Sequence, residues 1–407
     1  MHCRSRLVFA APGQGAQTPG FLTAWLDLPG FADRLAAWSD LAGCDLIAAG
    51  TTAGAEEIRD TAVAQPLLVA VAIASAEALC GDLEQARRKG GIAAGHSVGE
   101  LAAGAIAGVL TPEDAMRLVA VRSRAMAQAA AAEQTGMTAI LGGDESEVLA
   151  AIEAHGLTPA NINATGQIVA AGTLAQLAAL AADPPAGARL RPLPVAGAFH
   201  SPHMAPAVSA LREAAAGVTV ADPEMELLSN LDGAAVSTGD DWLERIITQV
   251  SAPVRWKECM ASMAEAGTSA FVELLPGGTL TGLARRALPG VATAALKTPD
   301  DLTAARSLLA EHGALDPFDD GHLPEWRLLV APHDGTFRAG DAGHPEQVLA
   351  PGVAVTSGSA LGHVEVRTGQ HPISPSYGGT IIEWLVEDGD PVNVGQPLVR
   401  LQPEGTE

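Results

Sequence analysis

One junction, at residue 97, does most to limit what this chain can fold into. Residues 92–95 form a short apolar run bounded by glycines, which is typical of a buried strand, and from Val98 onward the composition favours a helix. Between them lies G-H-S-V-G at residues 95–99, so Ser97 falls at a strand-to-helix turn whose glycines allow a sharp bend. The apolar run at residues 7–11, followed by a glycine-rich loop, is a second buried strand. The pattern predicts an α/β fold with a parallel sheet.

A second pattern follows between residues 132 and 197. The segments alternate in the order strand, helix, strand, strand, helix, strand, which is the order of a ferredoxin-like unit. We therefore expect a ferredoxin-like subdomain at about 132–197, inserted into a larger hydrolase-like α/β subdomain. The predicted segments are strands at 137–141, 158–162, 167–171 and 190–195 and helices at 145–155 and 174–182.

Composition limits the class of protein and its partners. The 407 residues are enough for two to three domains, and a content of 48% hydrophobic and 17% charged residues excludes a disordered chain. A net charge of −23 argues against nucleic-acid binding, which needs a basic face. The longest apolar stretch, residues 66–79, falls short of the roughly 20 residues that cross a membrane. We expect a cytoplasmic protein with reduced thiols at its cysteines, Cys3, Cys44, Cys80 and Cys259.

The last quarter of the chain differs from the rest. A turn-rich acidic stretch at residues 313–321 marks a boundary, and beyond it the pattern V-x-x-G-x-x-L occurs at 355–361 and again at 392–398. Two half-motifs in tandem predict a small quasi-symmetric β-sandwich. The expected division is a first domain at 1–312, a linker at 313–325 and a second domain at 326–407.

Ser97 needs a base, because a serine hydroxyl is a poor nucleophile at neutral pH. His96 is adjacent, but we expect the turn to point it away. His200 is the better candidate, since it precedes Ser201 and Pro202, which resemble the cap and first residue of a helix, and a histidine beside a helix N-terminus stays neutral. A metal pair of His200 with His203 lacks acidic or thiol partners, so no metal site is expected.

Arg122 is the most informative charged residue. The helix that begins at Pro112 places it on the same face as Leu118 and Met126, an apolar stripe. A guanidinium there needs a partner to offset its desolvation. Two interpretations stay open: a structural ion pair with a carboxylate elsewhere, or a substrate anion held near Ser97.

Residues 5 to about 310 resemble the malonyl-CoA:acyl carrier protein transacylases, which have the acyltransferase fold shared with fatty acid and polyketide synthases. Several motifs agree in order, and jointly they are specific. They are P-G-Q-G-A-Q at 12–17, Q-P at 65–66, G-H-S-V-G-E at 95–100, Arg122, N-I-N at 161–163, G-A-F-H-S at 197–201, and Gln249 before P-V-R-W at 253–256.

The resemblance implies roles for individual residues. Ser97 becomes the acyl-bearing nucleophile and His200 its base. The remaining implied roles are an oxyanion hole from the backbone N–H groups of Gln14 and Val98, orientation of the histidine by the carbonyl of Gln249, and substrate binding by Arg122, Phe199 and Asn163. Arg122 would bind the free carboxylate of malonate, and Phe199 would disfavour branched methylmalonyl.

The implied activity is transfer of malonyl from malonyl-CoA to acyl carrier protein, with no metal or redox cofactor. Because carrier proteins are acidic, docking needs a local basic patch. The candidates for that patch are Arg189, Arg191, Lys257, Arg285 and Arg286. One rival is a serine hydrolase that clears acyl groups from carriers, for which an apolar acyl pocket is expected instead of Arg122. The other is a non-catalytic scaffold whose tail recruits partners.

The tail, residues 326 to about 401, resembles biotinyl/lipoyl-type carrier domains, whose quasi-repeats meet at a hairpin that bears the modified lysine. Residues 365–369 stand where that hairpin is expected, but the last lysine of the chain is Lys297. We therefore expect a domain that docks another protein and carries neither biotin nor lipoate.

Overall fold

The structure, a computed structural model, describes residues 7–313, 327–340, 349–367, 369–375 and 378–403. The chain forms two compact units, Met1–Ala314 and Leu315–Glu407. The linker predicted at 313–325, apart from Gly313, the boundary residue Trp326, Thr368 of the expected hairpin and Cys3 lie outside the described residues.

The first unit contains two sheets. Its strands in chain order are β1 (Leu7–Ala11), β2 (Ile92–Gly95), β3 (Thr135–Gly142), β4 (Thr158–Ala164), β5 (Gln167–Thr173), β6 (Ala188–Pro192), β7 (Glu226–Leu228), β8 (Ala235–Val236), β9 (Ala270–Glu273) and β10 (Ala292–Ala295).

Its α-helices are α1 (Phe31–Ala42), α2 (Leu46–Thr51), α3 (Thr61–Cys80), α4 (Leu83–Lys89), α5 (Gly99–Ile106), α6 (Pro112–Ala132), α7 (Glu145–Ala154), α8 (Leu174–Ala182), α9 (Ala205–Ala215), α10 (Gly239–Gln249), α11 (Trp256–Glu265), α12 (Thr279–Ala287) and α13 (Asp301–His312). Short 3₁₀ turns lie at Thr23–Asp27, Glu57–Arg59 and Pro202–Met204.

Within residues 7–313, six strands form the larger sheet in the order β10-β9-β1-β2-β7-β8. All neighbours are parallel except β7 and β8, which are antiparallel. The central strands β1 and β2 are buried along their whole length, as near-continuous apolar strands of a parallel sheet must be. This confirms both strands and the parallel sheet expected from the sequence. Ser97 follows the carboxyl end of β2, so it lies at the end of the sheet where the parallel strands finish.

The smaller sheet of the first unit has the order β4-β5-β3-β6, with every neighbour antiparallel. The expected alternation of strands and helices is confirmed, although β6 begins and ends earlier than the sequence predicted. Backbone hydrogen bonds join this sheet to the rest of the unit, because Val254 donates to Ala160 and Ile162 donates to Val254, with N···O distances of 2.8 and 2.9 Å.

Helix α3 shows that the sequence-based estimate of the longest apolar segment, residues 66–79, was too short. It is 20 residues long, so it is long and apolar enough to span a membrane, contrary to the length inferred from the sequence. However, 78% of its most apolar window is buried inside the protein. A buried helix of this kind is hydrophobic on all sides because it packs in a core. In the described residues, no other helix is long and apolar enough.

Helix α6 begins as the sequence predicts. The hydroxyl of Thr111 accepts a hydrogen bond from the backbone N–H of Asp114 at 3.1 Å, and Pro112 occupies the first turn. Leu118, Arg122 and Met126 are all buried on the face that points into the core. The cap fixes where the helix starts, and the 3.6-residue period then places Arg122 inside.

The second unit is all β in its described residues. Its strands are β11 (Arg327–Val330), β12 (Gly335–Ala339), β13 (Ala354–Val355), β14 (Gly362–Val366), β15 (Gly369–Ile373), β16 (Gly379–Trp384), β17 (Pro391–Val392) and β18 (Pro397–Pro403). They form two antiparallel sheets with the orders β11-β18-β16-β13 and β15-β14-β12-β17.

The V-x-x-G-x-x-L repeat has a structural counterpart. Val355 and Val392 are both buried and end the short strands β13 and β17. Gly358 and Gly395 both have positive φ, 81° and 80°, which glycine adopts without strain. The leucine of each repeat is fully buried. Both half-motifs therefore build the same strand, turn and core contact.

Candidate active site

Ser97 lies on the tight turn between β2 and α5. Its φ is 55°, a left-handed conformation that is costly for a residue with a side chain. The flanking glycines are needed because the backbone is crowded: a Cβ added to Gly95 would lie 2.0 Å from the carbonyl carbon of Gly99, and one added to Gly99 would lie 2.3 Å from the carbonyl oxygen of Ala11. The turn expected from the sequence is present, with its serine in a strained backbone conformation.

His200 reaches Ser97 from the loop before the Pro202–Met204 turn. The Nε2 atom of His200 lies 2.6 Å from the Oγ atom of Ser97, and Nδ1 lies 3.0 Å from the carbonyl oxygen of Gln249. The amide nitrogen of Gln249 also lies 3.2 Å from Nδ1, but the carbonyl oxygen is nearer and only accepts. The tautomer with its proton on Nδ1 makes this shorter hydrogen bond and leaves Nε2 free to accept the proton of Ser97. Ser97 and His200 (φ 57°) are the two non-glycine residues with positive φ in the described part of the chain.

The environment keeps the imidazole of His200 neutral. Burial, together with the smaller effect of the positive charge of Arg122, lowers the pKa of His200 to about 3. The helix start expected after His200 contributes less to its neutrality than the sequence suggested. The hydroxyl of Ser201 donates to the carbonyl of Ala198 at 2.6 Å and does not cap the turn that follows. His200 is thus a base kept unprotonated mainly by desolvation.

Arg122 is 2% exposed and bonds to two neutral groups. Its Nη1 donates to Oε1 of Gln65 at 2.6 Å, and its Nη2 donates to Oγ of Ser97 at 3.3 Å. Burial lowers its pKa to about 10, so it stays protonated at neutral pH. Within residues 7–313, no carboxylate oxygen lies at ion-pair distance from Arg122, which removes the interpretation of a direct structural ion pair. A buried cation without a contacting anion can bind an anionic group that enters the site.

Glu100 is the acidic residue that influences Arg122 electrostatically without a hydrogen bond between them. Its carboxyl group is 1% exposed, and burial raises its pKa to about 8. One oxygen accepts the backbone N–H of Asn230 at 2.8 Å, and the other has no hydrogen-bond partner in the described residues. With this pKa the carboxyl group of Glu100 is largely protonated at neutral pH, so it leaves the positive charge of Arg122 largely uncompensated.

The backbone N–H groups of Gln14 and Val98, expected to form the oxyanion hole, differ from the N–H of Ser97 in their hydrogen bonding. The N–H of Ser97 donates to Oδ1 of Asn230 at 2.7 Å. By contrast, neither the N–H of Gln14 nor that of Val98 donates to a protein acceptor within the described ranges. Val98 is 1% exposed, so its N–H is a buried donor without a partner, which is costly unless a ligand accepts from it.

A cavity of about 270 Å³ opens beside Ser97 and His200. Gln14, Phe199 and Asn163 line it, as does Gln65, whose role the sequence did not indicate. His96 lines it too, contrary to the expectation that the turn points it away, and its Nε2 lies 2.8 Å from Oδ1 of Asn163. The apolar wall of the cavity consists of Met126, Met137, Ala139, Val169, Leu193, Val195, Leu280 and Leu283.

The basic residues proposed for docking differ in their local partners and exposure. Lys257 and Arg286 line a second cavity of about 310 Å³, where Lys257 pairs with Glu145 at 2.8 Å. Arg189 and Arg191 are exposed on β6. Arg285 donates to the hydroxyl of Thr293 at 3.1 Å.

His203, the second histidine of the metal pair considered from the sequence, has a different partner from His200. His203 bonds to Glu133 at 2.7 Å, away from His200, and the described residues contain no group of three metal-binding side chains. His200 is held by Gln249 and Ser97, as stated above.

We expect the ring of His200 to stay neutral from pH 8 down to about pH 4, because its pKa is lowered to about 3. NMR titration of histidine-labelled protein, with His200→Gln to assign the signal, measures this. The unfolded histidine has a pKa near 6.5, so the unfolded chain binds a proton that the folded chain does not. The stability contribution is therefore full above pH 6.5 and is lost as the pH falls, by up to about 1.4 kcal/mol per pH unit. A midpoint near pH 6.5 would contradict the desolvated base.

Comparison with known proteins places this geometry in a family. The acyl transferase domain family matches residues 8–300. A malonyl CoA-acyl carrier protein transacylase of Mycobacterium tuberculosis is 52% identical over 301 residues, which is 73% of this chain and 98% of that protein. The crystal structure of MCAT from the same organism has a TM-score of 0.71 at 51% identity and covers 74% of this chain and 99% of its own.

A third relative is a complex. The structure of a type II PKS acyl-carrier protein with its malonyl-transacylase has a TM-score of 0.69 at 30% identity, over 74% of this chain and 99% of that one. With a family match over most of the chain and relatives that it covers almost completely, this chain belongs to the acyl transferase family, among the malonyl CoA-acyl carrier protein transacylases.

Proposed function

We propose that this chain transfers a malonyl group from malonyl-CoA to the phosphopantetheine thiol of an acyl carrier protein, for fatty acid or polyketide biosynthesis. The single observation that carries the proposal is that Ser97 contacts both a neutral His200 and a buried Arg122 that pairs with no carboxylate of the described residues. A nucleophile beside an open cation suits an acyl substrate that ends in a carboxylate.

In the first half-reaction His200 takes the proton of the Ser97 hydroxyl through Nε2. The Oγ atom attacks the thioester carbonyl of malonyl-CoA, the C–S bond breaks, and the proton passes from His200 to the departing CoA sulfur. The product is a malonyl ester on Ser97. Gln249 holds the ring in the tautomer that this step needs.

In the second half-reaction the roles reverse. The thiol of the carrier's phosphopantetheine gives its proton to Nε2 of His200, and its sulfur attacks the ester carbonyl. The C–O bond to Ser97 breaks, and the proton returns to Oγ. The unpartnered N–H groups of Gln14 and Val98 would stabilise the oxyanion in both steps, a contribution of about 3 kcal/mol per donor.

Arg122 selects the substrate in this proposal. Its charge is offset by no contacting anion, so the free carboxylate of malonyl would complete its coordination, whereas acetyl would not. Phe199 is 6% exposed and lines the cavity beside the base, where its ring would disfavour the branch of methylmalonyl. Asn163 also lines the cavity, where it bonds to His96, and binds substrate in this proposal.

The rival functions are disfavoured by the same residues. A hydrolase that removes acyl groups from carriers would use Ser97 and His200 but has no use for a buried cation in its acyl pocket. A scaffold has no need for two strained residues that meet at 2.6 Å, because such strain is retained where a site uses it. Malonyl transfer accounts for both features.

The carrier must find a basic surface on an acidic enzyme. Among the candidates, Arg189 and Arg191 are exposed on β6 and have no ion pair in the described part of the chain, so they can meet a carboxylate of the carrier directly. Lys257 already pairs with Glu145 and would have to exchange partners. We therefore place the stronger contribution to docking on Arg189 and Arg191, with Arg285 and Arg286 as further contacts.

We propose the following division of the chain. Residues 1–312 form the cytoplasmic acyltransferase domain, with a hydrolase-like subdomain around the parallel sheet. The unit at about 132–197 is ferredoxin-like, which the β4-β5-β3-β6 order of antiparallel strands supports. Residues 313–325 are a linker, and 326–407 form a biotinyl/lipoyl-like domain. The two four-stranded sheets and the β14–β15 hairpin support this last assignment.

The tail acts as a docking or tethering module in this proposal. From residue 319 onward four arginines stand against thirteen acidic residues, a net charge of −9, which repels an acidic carrier. The tail also holds five of the six exposed large hydrophobic side chains of the described residues. These five are Leu328, Val330, Ile382, Leu385 and Val394. Apolar surface of this kind suits a protein partner.

Ser97→Ala abolishes the malonyl adduct, because it removes the only hydroxyl that His200 contacts in the described residues. Mass spectrometry of the intact protein after incubation with malonyl-CoA detects the added malonyl group. Ser123→Ala is the matched control, since this buried serine bonds only to the carbonyl of Ala120. An adduct on the Ser97→Ala protein would show that the nucleophile lies elsewhere.

Arg122→Ala shifts preference from malonyl to acetyl. The malonyl carboxylate loses its bidentate partner in a dry cavity, a penalty of a few kcal/mol, whereas acetyl loses nothing equivalent. The measurement is the ratio of kcat/KM for the two CoA esters. Arg117→Ala, on the exposed side of the same helix, should leave the ratio unchanged. Equal losses for both substrates would indicate a purely structural arginine.

Removal of the tail leaves transfer intact. A chain that ends at Pro317 should transfer malonyl to an isolated carrier protein at the rate of the full chain, because all proposed site residues lie in the first unit. Circular dichroism establishes that the shortened chain is folded. If the folded, shortened chain loses transfer, the tail belongs to the catalytic machinery.

A further inference from the structure

The turn that carries Ser97 is held by a side chain to which no sequence motif points. Asn230 lies just beyond β7, the strand that pairs with β2 in the parallel sheet, and it is fully buried. Its Oδ1 accepts the N–H of Ser97 at 2.7 Å, and its Nδ2 donates to the carbonyl of Gly95 at 2.8 Å. One amide group therefore joins the last residue of β2 to the nucleophile two residues later.

Asn230 is itself fixed on every side. Its backbone N–H donates to Oε1 of Glu100 at 2.8 Å, and its carbonyl accepts the N–H of Arg255 at 2.9 Å. Because Glu100 is on α5, directly after the turn, the loop beyond β7 is tied to the strand, the turn and the helix. A side chain whose own backbone is held in this way loses little entropy when it orients another group.

The turn needs such support. A left-handed serine costs of the order of 1–3 kcal/mol and persists only when the surroundings determine it. The N–H of Ser97 also lies at a helix N-terminus, where backbone donors have no partner within the helix. Asn230 satisfies that donor and leaves the N–H of Val98 without a protein acceptor, so it separates the group that fixes the turn from the group proposed to bind the oxyanion.

We infer that Asn230 is a positioning residue for acyl transfer: its amide holds the backbone of Ser97 so that Oγ stays 2.6 Å from His200. The inference rests on the proposed role of Ser97. Asn230 does not line the cavity that holds Ser97 and makes no hydrogen bond to Arg122. It should therefore govern the rate of acyl-serine formation and leave the affinity for malonyl-CoA unchanged.

The test is the pre-steady-state burst of CoA release from malonyl-CoA by the full chain. For Asn230→Ala we expect a burst rate lower by a factor of the order of 10 to 100, the cost of a small misplacement of a reacting group, with full burst amplitude and unchanged KM. Full amplitude matters because structural damage reduces the fraction of active enzyme, whereas misplacement slows every molecule.

Ser229→Ala is the matched control. This neighbour is equally buried, and its hydroxyl accepts the N–H of Leu231 at 3.2 Å without touching the turn, so its removal should leave the burst rate at the wild-type value. Asn230→Asp serves if the alanine variant folds poorly. It has the same shape and keeps an acceptor for Ser97, but it loses the donor to Gly95, so an intermediate rate is expected.

Two results would overturn the inference: wild-type burst rates in both variants at position 230, or a reduced amplitude with an unchanged rate in the active fraction. The second result would assign Asn230 a structural role alone. A wild-type protein that shows no burst and no malonyl-serine would instead refute the proposed function, so the two failures are distinguishable.

Discussion

The 2.6 Å contact between Ser97 and His200 is the interaction on which the rest of the site depends. It joins residues 103 positions apart, and each is in a left-handed conformation that its own side chain disfavours. Neither conformation can be maintained locally, so each is imposed by a different part of the fold. The N–H of Ser97 donates to Asn230, beyond a strand of the parallel sheet, and the ring of His200 contacts the carbonyl of Gln249 at the end of α10. The large buried core therefore holds the Oγ atom of Ser97 next to the Nε2 atom of His200.

Burial of this pair determines its electrostatics. The same desolvation that keeps His200 neutral also strips Arg122 of water, and the two groups share Ser97 as a neighbour. A cation so placed would ordinarily contact a carboxylate, yet Glu100 influences it only through space and bonds to Asn230 instead. A positive charge therefore lies next to Ser97 before substrate arrives. An incoming carboxylate would complete the ion pair, which couples recognition of the acyl group to the position of its carbonyl beside Ser97.

The sequence predicted what is encoded locally. The turn at Ser97, the cap at Thr111 and the buried face with Arg122 follow from short-range steric and periodic rules, and the structure has all three. It could not predict Asn230, because that residue acts through the pairing of β7 with β2, which brings together positions 133 apart. For the same reason the hydroxyl of Ser201 could not be assigned: capping and the bond to Ala198 are both compatible with the local pattern, and tertiary packing chose the latter.

In the tail, the residues that build the core are different from those of the hairpin where a modified lysine would stand. Its quasi-symmetry resides in buried valines and leucines and in glycines at turns, none of which lies in the hairpin between β14 and β15. Arg367 stands in that hairpin, and a guanidinium that stays protonated cannot form the amide that attaches biotin or lipoate. In the proposed biotinyl/lipoyl-like domain, the absence of a lysine therefore does not affect the buried core and leaves the outer surface as the place for a function. Exposed aliphatic side chains such as Val394, at 64% exposure, favour association once a partner covers them. The physical case for a docking module thus rests on what the tail exposes, whereas the case for catalysis rests on what the first unit buries.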